Sequence, residues 1–422
     1  MPRPHGTQNT PPATGTGAPL RLTQRDLSEL KATPLLFQVA ARLAAHVREG
    51  AIVFRLPDGR WFRFDGPAPG PEGVLLVQDY AFARRLAFGG GIGFAEAYLR
   101  GEWDSPDVAR FLEVIARNAE PMERYFLGNP VVNFANRCVH ALRANTRTGA
   151  RKNISFHYDL GNAFYEKWLD PGMTYSSARF QAPDQDLAEA QTVKYAELAR
   201  RIAIAPESRV LEIGCGWGGF ASFAAREIGC SVTGITISRE QYDFSRKRIF
   251  EEGLADRVDI QFRDYRDVEG RYDRIASIEM FEAVGEAYWP SFFDKLREVL
   301  VEGGRAGLQI ITIADRHFPT YRSSSDFIRH YVFPGGMLPS PGILKAEARR
   351  VGLAWAGAVD FGLDYAATLR RWRDRFLEAW PQIEPLGFDE RFRRIWTYYL
   401  SYCEAGFRAG NIDVSQIALA RG

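Results

Sequence analysis

The segment Val210-Leu211-Glu212-Ile213-Gly214-Cys215-Gly216-Trp217-Gly218-Gly219 constrains this chain more than any other. A short apolar run, Arg209 to Ile213, enters a turn with four glycines in six residues, and a helical pattern follows from Phe220. Glycine lets a backbone turn tightly and approach a ligand closely, because no Cβ intervenes. The helix N-terminus beyond it offers unpaired N–H groups to polar ligand atoms. A strand, a glycine loop and a helix in this order make a nucleotide-type binding turn. Glycine-rich turns are common, so the surroundings must decide which ligand is meant.

No Lys-Ser/Thr follows the glycines, which excludes a P-loop. Three further strand candidates follow. Ser231 to Ile237 ends in Ser238, Glu240 and Gln241, which suit a ribose. Val258 to Phe262 ends at Arg263-Asp264-Tyr265, an acid beside an aromatic that suits an adenine. Tyr272 to Ile278 ends at Glu279-Met280-Phe281-Glu282. This order matches an S-adenosylmethionine (SAM) methyltransferase domain, with NAD binding as the competing reading. The expected fold class is α/β, a doubly wound Rossmann-like SAM methyltransferase domain with a small N-terminal α+β module.

The 422 residues suggest two or three domains. A net charge of +2 supplies no global field for nucleic acid, and no basic-aromatic groove pattern is present. Arg137, Arg143, Arg147, Arg151 and Lys152 form a local basic stretch that fits an anionic lipid surface or a solvated linker. Cys138, Cys215, Cys230 and Cys403 form no C-x-x-C pair, so neither a metal site nor a redox pair is indicated, and a reducing cytosol is expected. No apolar run reaches the ~18 residues of a membrane span. The N-terminus lacks the apolar segment of a signal peptide.

Residues 1–20 read as a disordered tail and 21–121 as the N-terminal module. Within that module, Ala51 to Leu56 and Arg60 to Asp65 flank the turn Pro57-Asp58-Gly59, a hairpin signal. Gly73 to Gln78 is a further strand. Helices are expected over Ala81 to Phe88, Phe94 to Leu99 and Ala109 to Arg117, with glycines 89–91 as a break. Residues 122–152 read as a basic connector and 153–422 as the domain carrying the chemistry. There, a helix over Gln185 to Ile204 with Asp184 as N-cap precedes the sheet of Ser208 to Ile313. An aromatic, Gly/Pro-rich insertion covers Ala314 to Gly342. Helices over Arg370 to Glu378 and Glu390 to Arg408 follow.

The strings His157-Tyr158-Asp159-Leu160-Gly161-Asn162, Met173-Thr174-Tyr175-Ser176, Gly234 to Gln241, Asp264-Tyr265-Arg266-Asp267, Met280 to Gly285, Tyr331 to Gly336 and Tyr398-Tyr399-Leu400 with Ala405 to Arg408 resemble the cyclopropane-fatty-acid synthases and mycolic acid methyltransferases. The resemblance runs from about Asn153 to the C-terminus, and the N-terminal module resembles the lipid-binding domain of bacterial members. It implies transfer of a one-carbon unit from SAM to the double bond of an acyl chain in a membrane phospholipid. It implies an enzyme lying peripherally on the inner face of the membrane, with a homodimer open. By the same resemblance Tyr158, Tyr175 and Ser176 contact the methionine end of SAM, and Gly214, Gly216 and Gly218 form the loop beneath it. Thr236, Ser238 and Gln241 serve the ribose region, and Asp264 and Tyr265 the adenine. Glu282 and Tyr365 fall where the family places groups around a bound bicarbonate.

Two departures stand out. The family's Tyr-Ser-Cys is here Tyr175-Ser176-Ser177, and its Leu-His-Thr-Ile is here Leu308-Gln309-Ile310-Ile311. The cysteine and histidine of the bicarbonate site thus become Ser177 and Gln309. Both can hydrogen-bond an anion, but neither brings an imidazole. Methylating an alkene leaves a carbocation, and the place of the base decides whether a ring closes or a branched or methylene product forms. A C-methylating enzyme therefore fits better than a strict cyclopropane synthase. A small-molecule methyltransferase and a non-catalytic SAM- or lipid-binding protein are the competing readings.

Single residues carry bland alternatives. His157 reads as a site residue mainly through the resemblance. Glu279 is read equally as facing the cofactor or as a solvated acid, Trp217 as a shield or as packing, and Cys215 as a small residue that fits. Phe318, Tyr321, Phe327, Tyr331 and Phe333 read as an acyl tunnel or as core.

Overall fold

The computed structural model describes residues 19–22, 30–119 and 160–422. The expected disordered tail (apart from its last two residues), the basic connector, Cys138, His157 and Tyr158 lie outside the described residues.

The N-terminal module is a five-stranded sheet in the order β1-β3-β2-β4-β5, formed by Leu20–Arg21, Glu49–Arg55, Trp61–Asp65, Ala68–Val77 and Trp103–Asp104. The hairpin forms where the turn signal places it. Ile52 pairs with Phe64 and Phe54 with Phe62, and Gly59 takes φ +86° in the connection. Strand β4 starts at Ala68, earlier than the sequence suggests. Its prolines are absorbed by an irregularity between the Glu49 and Ala51 pairings with β2, which hides the strand from a pattern search. Helices α1 (Leu35–Ala44), α2 (Ala81–Leu99) and α3 (Val108–Arg117) cover the sheet. The expected glycine break is a kink inside α2, where Gly90 adopts φ 56°, ψ −140°.

The second sheet has seven strands in the order β11-β12-β10-β9-β6-β7-β8. Strands β6 (Arg209–Ile213), β7 (Ser231–Thr236), β8 (Val258–Phe262), β9 (Tyr272–Ile278) and β10 (Leu300–Ile313) are parallel neighbours. β12 (Ile412–Arg421) runs antiparallel between β10 and β11 (Leu353–Asp360). Helices on its faces complete an α/β domain. The order reverses between β6 and β9, and ligands in such sheets bind outside the carboxyl ends of the strands at that point. The helix before β6 spans Leu187–Arg201, and its cap is Asp186, not Asp184. The Asp186 carboxylate accepts from the amides of Ala188 (2.8 Å) and Glu189 (3.4 Å).

The two parts share one aromatic-rich core that includes Trp103, Phe111, Trp168, Trp372 and Tyr398. Arg394, on the helix Glu390–Arg408, donates to the carbonyls of Tyr98 (2.6 Å) and Trp103 (3.2 Å) and to Asp104 (3.2 Å). Its guanidinium lies 4.0 Å from the Tyr98 ring centroid. Tyr331 donates to Glu96 at 2.9 Å. The module is therefore packed against the C-terminal helices. Among the described residues no helix is long and apolar enough to cross a membrane, and no His/Cys/Asp/Glu group could hold a metal ion.

Candidate active site

The glycine turn after β6 lies in the wall of a cavity of about 650 Å³. Gly214 has φ +81°, and a Cβ there would meet the Met280 side chain at 2.6 Å. Only glycine meets both demands. Trp217 donates its indole N–H to Asn162 at 2.7 Å, which fixes the ring over the turn. Asn162 closes the quoted string His157 to Asn162, so part of that string supports the loop.

The same cavity is lined by Tyr175, Ser176, Glu212, Gly216, Thr236, Gln241, Asp264 and Tyr265. Thr236 donates to Gln241 Oε1 at 2.9 Å. Ser238 caps the helix Arg239–Glu251 by accepting from the Gln241 amide, and does not line the cavity. The Asp264 carboxylate is held by the Arg266 guanidinium at 2.7 and 2.8 Å. Gly218 takes φ +82° at the helix entry, outside the lining set. A glycine cradle, a hydroxyl and amide pair, and an acid beside an aromatic suit the adenosyl and amino-acid parts of SAM. These residues would hold it. Burial pushes the Glu212 carboxyl up to about 8, against donation from the Ala221 amide and the charge of Lys194. Cys215 is buried and its thiol pushed well above its usual value, so the bland reading of it stands.

Beside this cradle the structure gathers the predicted catalytic residues around a group the sequence left undecided. Glu279 Oε1 accepts from the Ser177 amide at 2.8 Å and from Gln309 Nε2 at 2.8 Å. Its Oε2 accepts from the Tyr365 hydroxyl at 2.6 Å. Ser177 and Gln309 are fully buried behind Glu279 and do not line the cavity, whereas Glu279, Glu282 and Tyr365 do. The Ser177 hydroxyl donates to the Ala178 carbonyl. Gln309 Oε1 accepts from Gln416 at 3.1 Å. Burial raises the Glu279 carboxyl, against its three donors and the nearby Lys194.

Glu282 accepts from the Ile311 amide at 2.6 Å through Oε1, and its buried Oε2 has no partner. Burial, with the Glu279 charge second, pushes it up to about 8. The two neighbouring carboxyls thus differ in surroundings: Glu279 accepts three hydrogen bonds that favour its charged form, whereas Glu282 has the Ile311 amide and an unpartnered oxygen. Lys194 is fully buried and donates to Ser176 Oγ at 2.7 Å. Burial lowers its ammonium to about 7, against the attraction of Glu279, Asp170 and Glu212. Neither Glu279 nor Lys194 was selected from the sequence as a site residue. For Glu279 the signal was present, an acid at the carboxyl end of a strand. For Lys194, one basic residue on an amphipathic helix, there was none.

The rest of the cavity is apolar and aromatic. Phe94, Leu112 and Ile115 come from the N-terminal module, and Phe327, Phe333 and Tyr398 from the second domain. Of the aromatics weighed as a tunnel, Tyr321, Phe327 and Phe333 line it, while Phe318 and Tyr331 do not.

The family model described as mycolic acid cyclopropane synthetase matches residues 145–417. A tuberculostearic acid methyltransferase, UfaA1, of Mycobacterium tuberculosis is 39% identical over 372 residues, which are 84% of this chain and 84% of that protein. A cyclopropane-fatty-acyl-phospholipid synthase of Escherichia coli is 33% identical, covering 87% of this chain and 95% of its own length. Among solved structures, the mycolic acid cyclopropane synthase CmaA1 complexed with SAH and CTAB superposes with a TM-score of 0.60 at 28% identity, over 64% of this chain and 97% of that one.

Proposed function

The chain belongs to the mycolic acid cyclopropane synthetase family, and on that premise we propose that it moves a one-carbon unit from SAM onto the double bond of an unsaturated acyl chain of a membrane phospholipid. It is a SAM-dependent methyltransferase of this family acting on lipids. The observation that carries the finer reading is the continuity of one cavity. The glycine cradle, the carboxyls of Glu279 and Glu282 and a long apolar lining share its wall. A polar small-molecule substrate would have no use for that lining.

Bound SAM supplies an electrophilic methyl group. Gly214 and Trp217 shape its seat, and the aromatic lining excludes water and holds the alkene close to it. A positive charge then develops on the acyl chain, and the Glu279 carboxylate and the faces of Tyr365 and Phe333 stabilise it. A neighbouring carbon must finally lose a proton.

The product favoured is a C-methylated chain without ring closure. Support comes from the 39% identical relative named a tuberculostearic acid methyltransferase, and from Ser177 and Gln309, which stand away from the cavity behind Glu279. The N-terminal module would deliver the lipid. Gly89, Gly90, Gly91 and Ile92 line the cavity, and Phe88 beside them is 63% exposed. A peripheral contact of this face with an anionic bilayer is part of the proposal.

The test is expression in a bacterium lacking its own cyclopropane synthase, with mass spectrometry and NMR of the membrane fatty acids. A gain of one carbon unit without cyclopropane proton signals is expected. Ring protons in the whole product would overturn the branched assignment, and no mass gain would overturn the acyl-lipid reading.

A further inference from the structure

The sequence resemblance implies a bicarbonate held near Glu282, Tyr365, Ser177 and Gln309, and the residues present do not fit one. The Ser177 amide, the Gln309 amide group and the Tyr365 hydroxyl all point at the Glu279 carboxylate, at 2.6–2.8 Å. An anion from solution would find these donors taken. Ile311, the remaining amide beside them, donates to Glu282.

We propose that Glu279 is the resident anion of this active site and its general base, so that turnover needs no dissolved bicarbonate. This rests on the acyl-lipid reading above. A carboxylate has about four lone-pair positions, and two donors on Oε1 and one on Oε2 leave a position on Oε2. Glu279 lines the cavity and keeps part of its surface open to it. Its backbone has φ +51°, the left-handed region that a glutamate seldom adopts. Such strain is retained where the surroundings over-determine it, and here the Glu279 amide donates to the Gln309 carbonyl at 2.8 Å. The backbone is turned so that the carboxylate enters the donor cluster.

In the step assigned to Glu279, the alkene π pair forms the new C–C bond as the S–C bond of the donor breaks, and a carbocation remains on the neighbouring carbon. Glu279 Oε2 takes a proton either from a chain carbon next to that cation, whose C–H electron pair becomes a double bond, or from the newly added methyl group, whose C–H electron pair forms the third side of a ring. Glu279 ends as a carboxylic acid, the sulfonium as a neutral thioether, and the proton passes to solvent before the next turnover.

The experiment uses the full chain, SAM and vesicles of monounsaturated anionic phospholipid, in buffer stripped of carbon dioxide and then with bicarbonate restored. Wild-type rates should agree within about twofold between the two buffers. Glu279→Gln keeps the shape and, through its carbonyl oxygen, the bonds from Ser177 and Gln309, but is not a base, and should lose on the order of 10²–10⁴-fold in rate while binding SAM normally. Glu279→Gly suits the positive φ, empties the donor cluster, and should recover activity with added bicarbonate or formate. A wild type that stops when bicarbonate is removed would overturn the proposal. So would Glu279→Gln at wild-type rate, or Glu279→Gly that binds SAM but is not rescued. A wild type that methylates no lipid in either buffer would instead remove the underlying reading, and this inference with it.

Discussion

Glu279 and Gln309 are clasped twice. The Glu279 amide donates to the Gln309 carbonyl at 2.8 Å, and the Gln309 side chain donates to the Glu279 carboxylate at 2.8 Å. The first bond prolongs the pairing of β9 with β10 by one residue, and the second uses that register to aim a charge-assisted donor. Gln309 is in turn oriented by Gln416 from β12. Three adjacent strands thus place one carboxylate.

Gln309 should accordingly act through Glu279 and not on substrate. Gln309→Leu removes a donor to the charged form, which raises the Glu279 carboxyl further. The rate at neutral pH should fall about tenfold, the rising acidic limb of the pH–rate profile should move to higher pH, and part of the rate should return above it. SAM affinity measured by calorimetry should hold. An unchanged profile would reduce Gln309 to packing.

The Glu282 carboxyl makes a pH-dependent contribution to stability. Its folded value of about 8 lies above the ordinary 4.5, so between these values the folded state holds a proton that the unfolded chain has released. Stability from this group therefore falls as pH rises through that window. Glu282→Gln has no such titration. Thermal unfolding at pH 5 through 8 should show the variant gaining on the wild type as pH rises. Comparing the two proteins cancels Glu212, which titrates in the same sense.

Gly214→Ala combines a positive φ with a side-chain clash, whereas Gly59→Ala meets only the positive φ, with nothing within 4 Å of its new Cβ. The hairpin variant should lose about 1–2 kcal/mol in denaturant unfolding and keep SAM affinity. Gly214→Ala should lose more stability, and SAM binding should weaken at least about tenfold, because Met280 must move into the seat. Equal SAM affinity in the two variants would contradict the placement of the cradle.

Trp217 and Asn162 form a pair for a double-mutant cycle. Trp217→Phe and Asn162→Ala each break the 2.7 Å bond. Each should weaken SAM binding by about 1 kcal/mol, and the double variant should cost less than the sum. Additive losses would mean that the bond does not position the ring over the loop.

The strands β8 and β9, the helix Glu390–Arg408 and the glycine turn were legible because each depends on local pattern. Alternating apolar residues, glycines at a strand end and a helical period are written in neighbouring positions. The start of β4 was not legible, since its prolines are tolerated only by an irregularity that the partner strand supplies. The N-cap at Asp186 was displaced by two residues, as several acids compete near that boundary.

The site divides in the same way. Sequence alone determined the strands β6 to β9, the glycine turn that suits a nucleotide-type ligand, and the residue types available to the chemistry, including Glu282 and Tyr365. Only the tertiary structure decided that Ser177, Gln309 and Tyr365, from a loop, a strand and a helix, converge on Glu279. It alone made Lys194 a buried cation beside them and joined the N-terminal module to the apolar lining of the cavity. The physical reason is range. A strand or a turn is settled by contacts a few residues apart. The charge and aim of a buried carboxylate depend on donors 30 to 102 residues away in the chain, and on the water that their packing excludes.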